Sequence, residues 1–176
     1  VDADERLIVG SAGGSAVGIH LLRRIAAGFR IVRVQDPKAR MLLVCGPRID
    51  PGEIEPVDGM EVVGYVHDLS RTLAASDLAV VQAGLSTTME LVSARRPFIH
   101  IPLRQHFEQN WHVAHRLRRY GAPPSTQYDD ATPSGLAAQM LERLNAKVRY
   151  EPVESGGAAR AAGLIASVLK VGAAYL

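Results

Sequence analysis

Apolar residues gather in five short runs separated by longer stretches of mixed polarity. The runs are Leu7-Ile8-Val9, Met41-Leu42-Leu43-Val44, Val62-Val63, Leu78-Ala79-Val80-Val81 and Phe98-Ile99-His100-Ile101. They are rich in branched side chains and nearly continuous rather than alternating, which is the pattern of strands buried on both faces. Between them the period lengthens to that of a helix: Leu21, Leu22, Ile25, Ala26 and Phe29 share one stripe, and Leu69, Leu73 and Ala74 another. Strand and helix therefore alternate. This predicts an α/β fold, a Rossmann-like doubly wound parallel sheet with right-handed crossovers and helices on both faces. The first helix should end before Pro37, because the residue preceding a proline is pushed out of the helical region. Asp50-Pro51-Gly52 and Asp58-Gly59 mark a loop between the second and third strands. A further helix is expected over residues 105–119, ending near Gly121 with Pro123-Pro124 beyond it. Helical patterns resume around Leu136, Met140, Leu141 and Leu144, and again from Ala158 to Val168, which puts terminal helices at about 133–172.

A length of 176 residues suits one well-buried domain spanning 1–176. Twenty basic against eighteen acidic residues leave a formal charge of +2, which does not call for nucleic acid or an anionic membrane as the main partner. The single cysteine, Cys45, removes any disulfide framework and any cysteine-based zinc site, and points to a reducing compartment. No apolar run approaches the roughly 20 residues that span a bilayer. The start of the chain, with Asp2, Asp4 and Glu5, is not a basic leader. A soluble, cytoplasmic protein is the expectation.

In open α/β sheets ligands bind outside the carboxyl ends of the strands, where strand order reverses. Past the first run lies a small-residue loop, Gly10-Ser11-Ala12-Gly13-Gly14-Ser15-Ala16-Val17-Gly18, opening a helix. Exposed N–H groups and the helix dipole there would favour a phosphate, although glycines in a tight strand-to-helix turn explain the composition equally well. The loop fits none of three common motifs. A dinucleotide fingerprint starting at Gly13 would need glycine at Ser15, and Cys45-Gly46, not an acid, closes the second strand. The lysines, Lys38, Lys147 and Lys170, do not follow a glycine as a Walker A loop requires. A hydrolase elbow would need glycine where Val17 stands.

Past the fourth run, Gln82-Ala83-Gly84-Leu85-Ser86-Thr87-Thr88-Met89-Glu90 forms a second helix start. Ser86 could simply be its N-cap, with Met89 turned to the core. If both loops face one crevice, they could hold the two phosphates of a diphosphate, with Glu90 placed to accept from both hydroxyls of a ribose. Past the fifth run, Glu108, His112 and His115 are spaced so that one helical face could carry all three, which formally permits a metal site. The neighbouring Arg116, Arg118 and Arg119 would oppose a cation. Glu108 and Gln109 are better suited to a polyhydroxylated ligand, since a carboxylate accepts and an amide both donates and accepts.

Together, Val63-Gly64-Tyr65-Val66-His67-Asp68, Ala75-Ser76-Asp77-Leu78, the Gln82–Glu90 segment, Arg96-Pro97, Ile101-Pro102 and Glu108-Gln109 with the stretch ending at Gly121 resemble the carboxy-terminal domain of GT-B fold glycosyltransferases. The resemblance is to the group holding the UDP-N-acetylglucosamine transferase of peptidoglycan synthesis and the antibiotic and plant UDP-sugar transferases, and runs from residue 6 to about 122. It implies one half of a two-domain architecture whose amino-terminal acceptor domain is absent. It also implies that Tyr65 and Val66 meet the base through main-chain groups. Gly13, Gly14, Ser15, Gln82, Gly84, Ser86, Thr87 and Thr88 would contact the diphosphate, Glu90 the ribose, and Glu108 and Gln109 the sugar. This chain departs from the plant-type pattern in having Gln82 for histidine and Leu85 for tryptophan, and it carries Glu108-Gln109 where Asp-Gln or Gln-Gln is usual.

The resemblance implies a Leloir-class, inverting-type donor domain using a UDP- or dTDP-sugar as substrate, with no metal or other cofactor and no catalytic base of its own. Its partner would be the acceptor domain, in the same full-length chain or a second subunit, and any membrane association would come through that half. The abrupt start at Val1 favours a separated carboxy-terminal half over a natural one-domain subunit. The rival readings are a non-catalytic nucleotide-binding subunit, an epimerase-like enzyme acting on UDP-N-acetylglucosamine, and a metal-dependent enzyme built on Glu108, His112 and His115.

Overall fold

The computed structural model describes residues 4–144, 146–154 and 156–173. The acidic start at Asp2 and the start at Val1 lie outside them. Five parallel strands, β1 (Arg6–Ser11), β2 (Ala39–Val44), β3 (Met60–Val63), β4 (Leu78–Gln82) and β5 (Phe98–Ile101), form one sheet in the order β3-β2-β1-β4-β5. In register, Ile8 sits between Met41 and Leu78, and Gly10 between Leu43 and Val80. All five predicted runs are strands. Four are largely buried, with Leu7 and Leu42 half-covered, whereas Val62 and Val63 in the edge strand β3 are both half-buried; β5, the other edge strand, is fully buried, with Tyr150 packed against Phe98.

Helix α1 (Ile19–Gln35) ends one residue short of Asp36-Pro37, as the proline dictates. It buries Leu21, Leu22, Ile25, Ala26 and Phe29 against one face of the sheet, together with α5 (Pro133–Arg143). The opposite face is covered by α2 (Leu69–Ala75), α3 (Leu85–Ser93) and α4 (Ala114–Arg119), around Val9, Leu73, Ala79, Val81, Leu91 and Val113. Helices therefore lie on both faces. Thr132 caps α5 by accepting from the Gly135 N–H, with Pro133 at the first helical position. A last helix, α6 (Gly157–Ala173), follows the Gly156 break, and Leu164, Ile165, Val168 and Leu169 on it are exposed. No helix among the described residues is long and apolar enough to cross a membrane.

Two local expectations are corrected. Residues 105–119 are not one α-helix: a turn closed by the His106 N–H on the Leu103 carbonyl leads into a π-helical segment, Glu108–Val113, and only then into α4. The stretch after Gly121 does more than add terminal helices. The buried Tyr150 packs in the second core, its hydroxyl donates to the Arg96 carbonyl (3.1 Å), and the Glu151 N–H reaches the Tyr120 carbonyl (3.0 Å).

Candidate functional site

Because the sheet is all parallel, every loop singled out in the sequence leaves it at the same carboxyl edge. From β1 the chain builds outward through β2 to β3, then returns to place β4 on the other side of β1. The reversal of strand order thus falls between β1 and β4. The loops after these two strands, Ala12–Ser15 and Ala83-Gly84, flank the crevice where such sheets take ligands.

The first loop is held from outside. Gly13 has φ +76°, and its N–H donates to the Ser11 hydroxyl (3.4 Å). A one-turn 3-10 segment (Ala16–Gly18) then feeds directly into α1. The loop after β2 presses against it: a Cβ on Gly46 would lie 2.3 Å from the Gly13 carbonyl oxygen, and Arg48 donates to the Gly14 carbonyl (3.0 Å). Neither Gly46 nor Arg48 stood out as a site residue in the sequence. Arg48 is exposed and brings a positive charge to the loop read as phosphate-binding.

At the second loop the cap of α3 is Gly84, with extended backbone and no side-chain cap, so Ser86 is not the N-cap. Ser86 is exposed in the first turn and Thr87 is half-buried. Thr88 does not face outward. Its side chain is fully buried, its hydroxyl donates to the Gly84 and Leu85 carbonyls (2.9 and 3.1 Å), and its N–H is taken by Gly84 as well. A threonine in mid-helix turns its hydroxyl back onto the preceding turn, and here that uses the group up. Gln82, at the end of β4, has a buried Oε1 with no partner among the described residues. Buried amide oxygens are normally paired, so this group is left over for something else at this edge.

Glu90 is exposed on α3 and has no ion pair among the described residues. Partial burial, and then the nearby charge of Asp68, raise its pKa above the ordinary glutamate value. Asp68 belongs to the loop after β3, where it adopts φ 57° and accepts from the Ser70 hydroxyl (2.8 Å). The loop that carries Tyr65 and Val66 thus also carries the carboxylate that acts on Glu90. Tyr65 is 72% exposed and Val66 half-buried.

Glu108 and Gln109 part company. Glu108 is exposed and lines a cleft of about 380 Å³ with Leu85, His112, His115, Arg116 and Arg119, which sets it beside the first residue of α3. Gln109 is buried, and its Oε1 accepts from the Leu103 N–H (2.9 Å), so its amide fixes the preceding turn instead of facing the crevice. Glu108, His112 and His115 do share one face, as their spacing predicted. Among the described residues, however, no group of three or more His, Cys, Asp or Glu side chains is placed to hold a metal ion.

A parallel sheet of this strand order, with a crevice at its reversal and two helix starts beside it, defines a Rossmann-like α/β domain. Comparison with known proteins then specifies which: the family model for the glycosyltransferase family 28 C-terminal domain matches residues 12–168, and the chain belongs to that family. An uncharacterized glycosyltransferase of Methanopyrus kandleri is 23% identical over 167 residues, 94% of this chain and 46% of that protein. The UDP-N-acetylglucosamine--N-acetylmuramyl-(pentapeptide) pyrophosphoryl-undecaprenol N-acetylglucosamine transferase of Methylobacterium radiotolerans is 33% identical over 107 residues, covering 60% of this chain and 28% of that one. Among solved structures, the calicheamicin glycosyltransferase CalG4 superposes with a TM-score of 0.66 at 16% identity, over 82% of this chain and 35% of that one. The fold is that of GT-B glycosyltransferases. The chain spans less than half the length of these relatives.

Proposed function

We propose that this chain is the donor-binding part of a Leloir-type glycosyltransferase that takes a UDP- or dTDP-sugar and passes the sugar to an acceptor held mainly by another domain or subunit. The observation that carries the reading is the pairing of the Ala12–Ser15 and Ala83–Thr87 loops on the two sides of the strand-order reversal. In this reading the N–H groups of Gly14, Ser15, Ser86 and Thr87, the Ser86 and Thr87 hydroxyls and the Gln82 amide hold the diphosphate, with Arg48 adding charge; Gly13 and Gly84, whose own N–H groups are taken by Ser11 and Gln82, let the backbone approach it closely. Thr88 shapes the turn from inside. Glu90 accepts from the ribose diol, the Tyr65-Val66 backbone meets the base, and Glu108 accepts from the sugar hydroxyls.

During transfer the bond from the anomeric carbon to the diphosphate oxygen breaks as the acceptor oxygen bonds to that carbon. The negative charge that develops on the leaving diphosphate falls between two helix N-termini, where fixed dipoles stabilise it most in the transition state. The acceptor's proton goes to a base outside this chain, so the isolated chain should bind donor without turning it over. Its site opens to the reducing, cytoplasmic side in this reading.

The test is calorimetric titration of the chain with UDP, dTDP, ADP and GDP in the presence of chelator. Selective binding of UDP or dTDP supports the proposal. Equal binding of all four, or binding of none by either this chain or a full-length protein containing it, overturns it.

A further inference from the structure

Beside the proposed donor site the chain displays a feature that diphosphate binding does not use. Phe107 and Trp111 are 66% and 67% exposed, with ring centroids 6.4 Å apart. They form the wall of a bowl of about 470 Å³ whose remaining lining, Arg104, Gln105, His106 and Asn110, is polar. The bowl sits at the carboxyl edge, and Phe107 immediately precedes Glu108.

The bowl is rigid. The Asn110 side-chain amide donates to the Leu103 and His106 carbonyls (2.8 and 2.9 Å), Gln109 accepts from the Leu103 N–H, and the Asn110 N–H donates to the His106 carbonyl. Four hydrogen bonds therefore lock the turn that carries the two aromatic rings. Large exposed aromatic side chains on a braced turn, rimmed by polar groups, are the signature of a surface built to be covered.

The charge in the bowl says by what. Its one guanidinium, Arg104, is paired with the Asp129 carboxylate (2.7 Å at Nε) and lies over the Tyr128 ring, so it is not spare for an anionic surface. A neutral aromatic wall with a polar rim matches a pyranose, whose apolar C–H face packs on a ring while its hydroxyls reach the rim.

We propose that Phe107 and Trp111 form a saccharide-stacking subsite that receives a neutral hexopyranose ring of the acceptor, next to the sugar held at Glu108. Part of the acceptor site then lies on this chain. The inference rests on the donor reading for its place in the reaction, but its test is separate. Trp111 is the protein's single tryptophan, so its fluorescence reports this bowl alone.

The chain is titrated with diacetylchitobiose and with cellobiose, and emission is followed. The expected result is a saturable blue shift or quench with a millimolar-range Kd, on the order expected for a small ligand on an open subsite. Phe107→Ala should weaken it by about tenfold. Saturation-transfer NMR of the same disaccharides should lose its signal in Trp111→Ala, with circular dichroism confirming the fold. Absence of any saturable response up to about 50 mM, roughly a tenfold excess over such a Kd, overturns the proposal. So does a shift seen only with phosphatidylcholine–phosphatidylglycerol vesicles, which would make the bowl a membrane contact. Calorimetric binding of UDP, read in parallel, tells failure of the subsite from failure of the donor reading.

Discussion

Gly46→Ala is the sharpest perturbation of the proposed phosphate loop, because it touches the loop only through packing. The methyl group would sit 2.3 Å from the Gly13 carbonyl oxygen and 3.3 Å from the Gly14 Cα, and both obstacles are backbone. Gly46 also has φ +83°, which costs an L-residue about 1–2 kcal/mol. Relieving the overlap requires the two loops to separate by about an ångström, at a further cost of about 1–3 kcal/mol typical of overpacking. The sum is about 2–5 kcal/mol, a large part of a stability that is usually only about 5–15 kcal/mol. For a chain of this size that corresponds to a fall in Tm of roughly 5–15 °C. Whichever loop gives way, the Arg48 contact to Gly14 is disturbed and UDP affinity should drop by at least about tenfold. Thermal melts and calorimetry measure both quantities. Gly84→Ala is the control: its added methyl meets nothing within 4 Å and its φ is −72°, so a loss below about 1 kcal/mol is expected. A Gly46→Ala protein that melts with the parent and binds UDP equally well would refute the claim that the β2 loop shapes the β1 loop.

Three further outcomes are expected. Glu90→Gln should weaken UDP binding by about 1–3 kcal/mol in calorimetry while leaving stability at neutral pH unchanged or slightly higher, because the fold disfavours the ionised carboxylate; in the parent, affinity should fall as pH drops through the raised pKa. Thr88→Val should leave UDP affinity within about twofold and cost less than about 1 kcal/mol, since its hydroxyl is spent inside α3; a larger loss of affinity would return Thr88 to the ligand. His100, buried on β5 and pushed down to about 4 by burial and then by Arg143, stays neutral in the fold while the unfolded chain protonates near 6.5. Stability should therefore decline between about pH 6.5 and 4, by about 2–3 kcal/mol in urea titrations, and His100→Asn should flatten that decline.

Most of the fold could be read from the chain because each strand is a run of buried branched residues and each crossover helix keeps its apolar stripe. The exceptions share a cause: they depend on what lies beside a segment and not on the segment itself. Val62-Val63 reads like the other runs but is half-covered, whereas β5 at the opposite edge is fully buried under neighbours that include Tyr150, far away in the chain. Tyr150 lies in a short extended stretch with no period, and is buried because α4 and β5 leave room for it. In the site, Gly13 and Gly84 were visible as small residues past strand ends. Gly46 and Arg48 were not, because their contacts join positions more than thirty residues apart with no shared motif. The π-helical turn is the subtlest case. Glu108 and Gln109 open that segment, one facing solvent and the other the Leu103 turn, and nothing in their types announces the π-helical geometry.

The groups left without partners differ in kind between the two edges of the sheet. At the amino edge charged groups are matched: Arg6 with Asp36, Lys38 with Asp4, Arg40 with Glu5, and Arg33 with Asp58. The Leu7 N–H there is likewise taken by Asp77 (2.8 Å). At the carboxyl edge, among the described residues, Glu90 and Glu108 have no ion pair, the Gln82 oxygen is buried without a partner, and the first turn of α3 has no side-chain cap. Unpaired polar groups cost free energy in proportion to their burial, and each edge keeps a few: at the amino edge the buried ones are donor nitrogens of Arg33 and Arg96, whereas at the carboxyl edge the Gln82 oxygen is an acceptor. Each group left over at the carboxyl edge has a counterpart on a nucleotide sugar: phosphate oxygens for free N–H groups, and hydroxyls for the carboxylates and the Gln82 oxygen. Under the donor reading proposed above, the hydroxyls of a bound nucleotide sugar would supply the partners that the Gln82 oxygen, Glu90 and Glu108 lack among the described residues, whereas the leftover arginine nitrogens at the amino edge call for an acceptor instead.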